Sequence, residues 1–114
     1  MNSEEFVDAI RDVVWKSTVS SMSKLLAKPP GRAPSKELVE KSNWYNSLNE
    51  DDREMVTKII DESARIAVFG FLCVLDGARA IEDGEKGLLK LYFEKDGNQV
   101  LLNDQGRQGL HELL

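Results

Sequence analysis

The sequence predicts a mainly helical α+β fold, in which a β-hairpin and a short terminal helix follow three longer helices. Apolar residues recur at three- and four-residue steps over residues 50–83, which is the period of an α-helix. Residues 88–95 and 98–103 instead alternate between apolar and polar side chains, which indicates two paired strands. A turn is expected over residues 83–87 before the hairpin, and a short helix over residues 108–114 after it.

The first helix is predicted to begin at Ser3 and to run to about Lys28. Ser3 is a suitable N-cap, and the two acidic residues after it favour the positive end of the helix dipole. Its apolar stripe drifts around the surface, so we expect this helix to cross over the central one. Serine and threonine hydroxyls compete for backbone hydrogen bonds, and a break near Ser17–Ser21 is therefore an alternative.

A loop over residues 28–35 separates the first helix from the second. It contains all three prolines, and two adjoining prolines exclude a continuing helix. Ser35 then caps a short helix that ends near the aromatic pair Trp44 and Tyr45. Aromatic residues just before a turn usually close one end of a core, and this is our expectation. If they are exposed instead, they become the first candidates for a binding anchor.

The central helix is predicted to begin at Asn49 and to stop at Asp83-Gly84. Asn49 is a good N-cap, and three acidic residues follow it. Residues 66–75 carry no polar side chain, so we expect the rest of the chain to enclose this part of the helix on every side. A membrane span needs about 20 apolar residues, so no membrane association is expected.

Four small residues are spaced by seven along the central helix: Ser63, Gly70, Gly77 and Gly84. Glycine inside a helix costs about 1 kcal/mol relative to alanine, so a compensating contact is expected. The favoured interpretation is the close approach of a neighbouring helix to this face. A kink, or a dimer seam along the same face, is the alternative.

The hairpin is predicted from its turn. Asp96-Gly97 tolerates the positive φ angles that a two-residue hairpin turn requires. This turn pairs Phe93 with Val100 on the face expected to lie on the helices. It pairs Tyr92 with Leu101 on the outer face, where unpaired strand edges can recruit another chain.

Composition and charge limit the classes of function. The 114 residues are expected to form one domain, residues 1–114, with a formal net charge of −5. Residues 1–48 carry seven basic and six acidic side chains, whereas residues 49–114 carry eight and fourteen. This acidity disfavours nucleic-acid binding. A single cysteine, Cys73, and an N-terminus without a signal-peptide pattern favour a cytoplasmic location, and Cys73 is expected to be inert packing.

Residues with catalytic or metal-binding patterns are scarce. Metal sites need several converging His, Cys or carboxylate ligands, and the chain has one histidine and one cysteine far apart. The sequence contains no phosphate-binding glycine loop and no Gly-x-Ser-x-Gly motif. We therefore expect no catalytic residues, no metal and no cofactor, and an enzymatic function is the less favoured interpretation.

Asp76 and Arg79 are the most informative polar pair. Their spacing suits an ion pair on an exposed helix face. Alternatively, Asp76 is a buried carboxylate that needs a cation, and it lines a cleft together with Arg79, with Arg53 or Trp44 beside the pair. The candidate binding residues are Trp44, Tyr45, Arg53, Asp76, Arg79 and Tyr92.

Four stretches form a further pattern: Trp44–Arg53, Val68–Gly77, Leu101–Asp104 and Leu110–Leu113. In these stretches the chain resembles small, uncharacterised bacterial single-domain proteins. The resemblance covers most of the chain from Pro29 onward and implies helices, a hairpin and a short tail, without a catalytic motif. Some acidic domains of this size are immunity proteins that neutralise a toxin, so the resemblance allows an immunity-like role.

Three functions are compatible with these observations. The favoured one is a cytoplasmic protein-interaction domain, for example an immunity-like or antitoxin-like binder, whose acidic surface attracts a basic partner. The second is a small-molecule-binding or enzymatic domain with a cleft near Trp44, Asp76 and Arg79. The third is a structural homodimer joined along the hairpin edge or the glycine face.

Overall fold

The computed structural model describes residues 1–84 and 87–114, and it confirms the mainly helical α+β class with a hairpin and a short C-terminal helix. The elements of the described residues are α1 (Ser3–Ile10), a π-helical segment (Arg11–Lys16), α2 (Ser17–Ala27), α3 (Lys36–Ser47), α4 (Glu50–Leu75), β1 (Tyr92–Lys95), β2 (Asn98–Leu101) and α5 (Leu110–Leu113).

The N-terminal helix runs on through the π-helical segment into α2. Its N-cap is Asn2, one residue earlier than predicted, because the Asn2 side chain accepts a hydrogen bond from the Glu5 N–H at 2.8 Å. Ser3 is instead buried, and its Oγ donates to the Leu102 carbonyl at 2.7 Å. The irregularity lies just before the predicted Ser17–Ser21 region, since the helix is wound as a π-helix up to Lys16.

The loop and α3 follow the prediction, whereas the placement of the aromatic pair does not. Helix α2 ends at Ala27, and Ser35 caps α3 by accepting from the Leu38 N–H at 3.2 Å. Trp44 is 55% exposed and Tyr45 is half-buried. The expectation that both close the core is therefore wrong for Trp44, because α3 packs mainly against α2.

Helix α4 begins as predicted and ends earlier than predicted. Asn49 caps it by accepting from the Asp52 N–H at 2.8 Å. At the other end Gly77 adopts φ +74° and donates to the Val74 carbonyl at 3.1 Å, and the next N–H donates to the Cys73 carbonyl at 2.9 Å. These two bonds form a Schellman motif, which terminates the helix at Leu75 rather than at Asp83.

The spacing of the glycines by seven has a different cause from the predicted one. A Cβ at Gly70 would lie 2.8 Å from Arg79 Nη1, so an arginine side chain, rather than a neighbouring helix, approaches this position. Gly77 lies outside the helix, and Gly84 adopts φ +75° with no atom of the described residues, beyond its chain neighbours, within 4 Å of where a Cβ would lie. The predicted small-residue packing face is therefore wrong.

The expected enclosure of residues 66–75 is also wrong. Val68 and Leu72 are buried together with Val7 of α1 and Leu110 of α5. Ile66, Ala67, Phe69 and Phe71 on the same stretch are exposed. Helix α4 packs mainly against α2, α5 and the π-helical segment and also meets α1 at Val7, and these elements cover only part of its circumference.

The hairpin has the predicted turn and register, with shorter strands. Asp96 adopts φ +54° and Gly97 φ +79°, as a type I′ turn requires. Phe93 pairs with Val100, and Tyr92 pairs with Leu101. The predicted strands of residues 88–95 and 98–103 are reduced to Tyr92–Lys95 and Asn98–Leu101. The predicted turn over residues 83–87 includes residues 85 and 86, which lie outside the described residues.

The fold is elongated. Its Cα radius of gyration is 18.5 Å, and its extents are 51 × 37 × 25 Å. A compact domain of this length has a radius of gyration of about 13 Å. The core accordingly contains few fully buried apolar side chains, and those of largest volume are Leu72, Leu110 and Val7.

Candidate functional site

The predicted binding residues lie on separate surfaces. Tyr45 and Arg53 line one open pocket, Arg79 lines a second and Asp76 lines a third. Trp44 is exposed on α3, and Tyr92 is exposed on β1. The small-molecule cleft required Trp44, Asp76 and Arg79 together, and their separate placement gives that alternative no support.

Asp76 is buried and contacts a residue that the sequence did not suggest. Its side chain is only 7% exposed at the C-cap of α4. One carboxylate oxygen, Oδ2, accepts from the backbone N–H of His111 at 2.9 Å and lies 2.6 Å from His111 Nδ1. Among the described residues, the ion pairs of Asp76 do not include Arg79. Asp76 therefore holds α5 against the end of α4.

Asn103 makes a second buried polar contact in the same region. Its Nδ2 donates to the Leu75 carbonyl at 2.6 Å and to the Leu89 carbonyl at 2.8 Å. Its Oδ1 accepts from the Leu91 N–H at 2.8 Å. The side chain thus joins the end of α4 to the segment before β1. We call Asp76, Asn103 and His111 the C-terminal junction.

The contacts of the C-terminal junction suit it to anchoring. The hydrogen-bond and ion-pair partners of the His111 ring within the described part of the chain are the carboxylates of Asp76 and Glu112. The Phe69 ring meets the imidazole edge-on, with centroids 5.6 Å apart. A histidine that activates a serine or cysteine nucleophile needs that hydroxyl or thiol within hydrogen-bond reach, and these partners supply none.

Arg11 ties the C-terminus to the first helix. Its Nη2 donates to the Leu113 carbonyl at 2.9 Å and to the Leu114 carbonyl at 3.3 Å. These are carbonyls at the end of α5 that lack partners within the helix. Such pairings join residues about a hundred positions apart, and neither helical period nor strand alternation could have indicated them.

Cys73 is half-buried near the junction, and its environment disfavours the thiolate. Burial raises the pKa of its thiol above the ordinary value, and the Asp76 carboxylate raises it further, while Arg79 acts in the opposite direction. A reactive cysteine needs a lowered pKa. The environment of Cys73 therefore agrees with a packing role.

Two further kinds of feature are absent from the described residues: a metal-binding cluster and a membrane-spanning helix. In residues 1–84 and 87–114, His, Cys, Asp and Glu side chains form no group of three that could hold a metal ion. None of the described helices has the length and apolar character that crossing a membrane requires.

An apolar groove runs between the N-terminal helix and α4. We call it the α1–α4 groove, and its volume is about 340 Å³. The residues that line it are all apolar: Phe6, Ile10, Val14, Ala67, Val68, Phe71, Leu72 and Leu75. Phe71 is 63% exposed, whereas its neighbour Leu72 is 1% exposed. The groove is thus an open continuation of the core.

A second apolar surface lies along α4. Met55, Ile59, Ile66 and Phe69 are exposed at steps of four, seven and three residues, which places them on one side of the helix. We call these four residues the outer stripe. Exposed Glu62 falls on the same side, between Ile59 and Ile66.

Compared with protein-family models, with curated proteins and with solved structures, the chain matches none of them. The α1–α4 groove, the outer stripe and the C-terminal junction are therefore the features that bear on function.

Proposed function

We propose that this chain is a protein-interaction domain in which another polypeptide covers the apolar surface of α4. The observation that carries the proposal is the accessible surface area, which is 8268 Å² for a chain of 12.8 kDa. A compact monomer of this mass exposes about 6,300 Å². The excess, which is spread over the whole elongated chain and includes the surface of α4, is about 2,000 Å², and a standard interface takes about 800 Å² from each partner.

The chemistry of the exposed surface supports the same function. Contiguous apolar patches larger than a few hundred Å² usually mark interaction sites in soluble proteins. Both the α1–α4 groove and the outer stripe lie on α4 and are built of large apolar side chains. The net charge of −5 on the chain would steer a basic partner, as an immunity-like binder requires, whereas the shape of the groove favours a homodimer.

Hydroxyl-radical footprinting of the dilute chain tests this proposal. We expect Phe71 to be oxidised much faster than Phe93, which is half-buried in the hairpin and serves as the internal control. Addition of a true partner should protect Phe71 and leave Phe93 unchanged. Slow oxidation of Phe71 in a chain that is monomeric at every dilution would show that the chain covers α4 by itself, and would contradict the proposal.

A further inference from the structure

We infer that the covering polypeptide is a second copy of this chain, and that each copy inserts Phe71 into the α1–α4 groove of the other. This inference rests on the proposed function and names its partner. It requires that one surface patch contains both a projecting group and a complementary hollow, because a two-fold interface uses the same patch on both subunits.

The α1–α4 groove meets that requirement. Phe71 projects from α4 at the rim and is more than half exposed. The hollow beside it is formed by Phe6, Ile10 and Val14 on one side and by Ala67 on the other. A volume of about 340 Å³ is ample for a phenylalanine side chain. Two antiparallel copies would therefore exchange aromatic rings across the two-fold axis.

The charges distinguish the groove from the outer stripe as a self-association surface. Each chain carries a net charge of −5, so two copies repel unless they meet on an uncharged face. The residues that line the groove are all apolar, and pairing there brings no like charges together at its centre. Pairing on the outer stripe would confront Glu62 with acidic groups of the other copy.

The area also suits a second copy. A homodimer takes equal area from both chains, and the excess of about 2,000 Å² per chain exceeds the roughly 800 Å² of a standard interface. Interfaces of obligate homodimers are larger and more apolar than standard ones, which is the character of the exposed surface on α4.

Sedimentation equilibrium of the full chain tests the inference, with two glutamate substitutions on α4. We expect the native chain to have twice the mass of 12.8 kDa and Phe71→Glu to have the single-chain mass. Ile59→Glu is the matched control, since Ile59 is similarly exposed and lies about 18 Å away along the same helix. It should remain dimeric. Circular dichroism confirms folding, and Ala67→Glu, one turn before Phe71 on the α4 wall of the groove, should repeat the Phe71→Glu result.

Other results overturn the inference in distinguishable ways. A dimer that survives both groove substitutions, or that Ile59→Glu dissociates, places the interface outside the groove. A native chain that stays monomeric up to millimolar concentration while Phe71 is oxidised rapidly excludes the second copy and leaves the interaction function intact. A monomer in which Phe71 is protected at every concentration contradicts both.

Discussion

Two parts of the surface of α4 differ in what covers them: the rest of the chain packs on one part and leaves the other exposed. On one side, the helix packs on Val7 and Leu110, and the C-terminal junction closes its end with hydrogen bonds. Around the rest of its circumference, Phe71 in the α1–α4 groove and Ile66 on the outer stripe belong to the same apolar run and remain exposed. An apolar run in a sequence therefore indicates that its side chains need to be buried. It does not indicate whether the same chain or another polypeptide buries them. Substitutions should therefore act on stability at the junction and on association at the groove.

The largest effect on folding is expected at Asn103. Asn103→Ala leaves two carbonyls and one N–H without their partner, at about 1 kcal/mol each, so the free energy of unfolding should fall by about 3 kcal/mol. Urea denaturation at fixed protein concentration measures this change. Asn43→Ala on the exposed part of α3 is the control and should stay within about 0.5 kcal/mol of the native chain. Equal losses of unfolding free energy in the two variants would show that the Asn103 side chain does not stabilise the C-terminal junction.

The second-largest effect on stability is expected at the pair of Asp76 and His111. Asp76→Ala leaves the His111 N–H unpaired and removes the partner of its ring, and we expect a loss of about 2 kcal/mol. His111→Ala removes only the ring contact and keeps the backbone N–H that Asp76 accepts from, so Asp76→Ala combined with His111→Ala should cost little more than Asp76→Ala alone. Asp83→Asn, at an exposed carboxylate, is the control. Additive losses in the double variant would show that the two side chains are not coupled.

Gly70 and Gly77 should respond in opposite directions to alanine, although they are related by a step of seven. Gly77→Ala places a side chain at φ +74° and should cost about 1–2 kcal/mol. Gly70→Ala gains helix propensity of up to about 1 kcal/mol, because the close Arg79 end belongs to an exposed side chain that can move away. Thermal unfolding of both variants measures the difference. Equal losses at the two positions would restore the idea of a shared packing face.

The smallest effect concerns the reactivity of Cys73. The Asp76 carboxylate raises the pKa of the Cys73 thiol and Arg79 lowers it, with burial as the larger cause. Asp76→Asn should therefore move the midpoint of the alkylation rate against pH to lower pH, and Arg79→Gln should move it to higher pH. Iodoacetamide modification followed by mass spectrometry gives both profiles. Shifts of the same sign would mean that changed exposure, rather than charge, controls the thiol.

Local features of the fold could be predicted from the sequence. Asn49 and Ser35 cap their helices, and Asp96-Gly97 forms the hairpin turn, because each depends on residues within four positions. The register of Phe93 with Val100 followed from that turn. Such local features can be predicted without knowing how the rest of the chain folds.

Features that join distant segments could not be predicted in the same way. The partner of Asp76 is 35 positions away, and Arg11 contacts carbonyls at the C-terminus. The sequence predicts too late an end for α4, because Gly77, which terminates the helix, also fits an apolar pattern that continues beyond it. The chemistry of Trp44, Tyr92 and Arg79 makes them candidate site residues, but chemistry alone does not place residues in one pocket.

Small-angle X-ray scattering of the monomeric Phe71→Glu variant tests the open side of α4 most directly. An open single chain should have a radius of gyration close to the 18.5 Å of the structure. A value of about 13 Å, as for a compact domain of this length, would show that the chain folds over α4 by itself, and would contradict an interaction surface at that position.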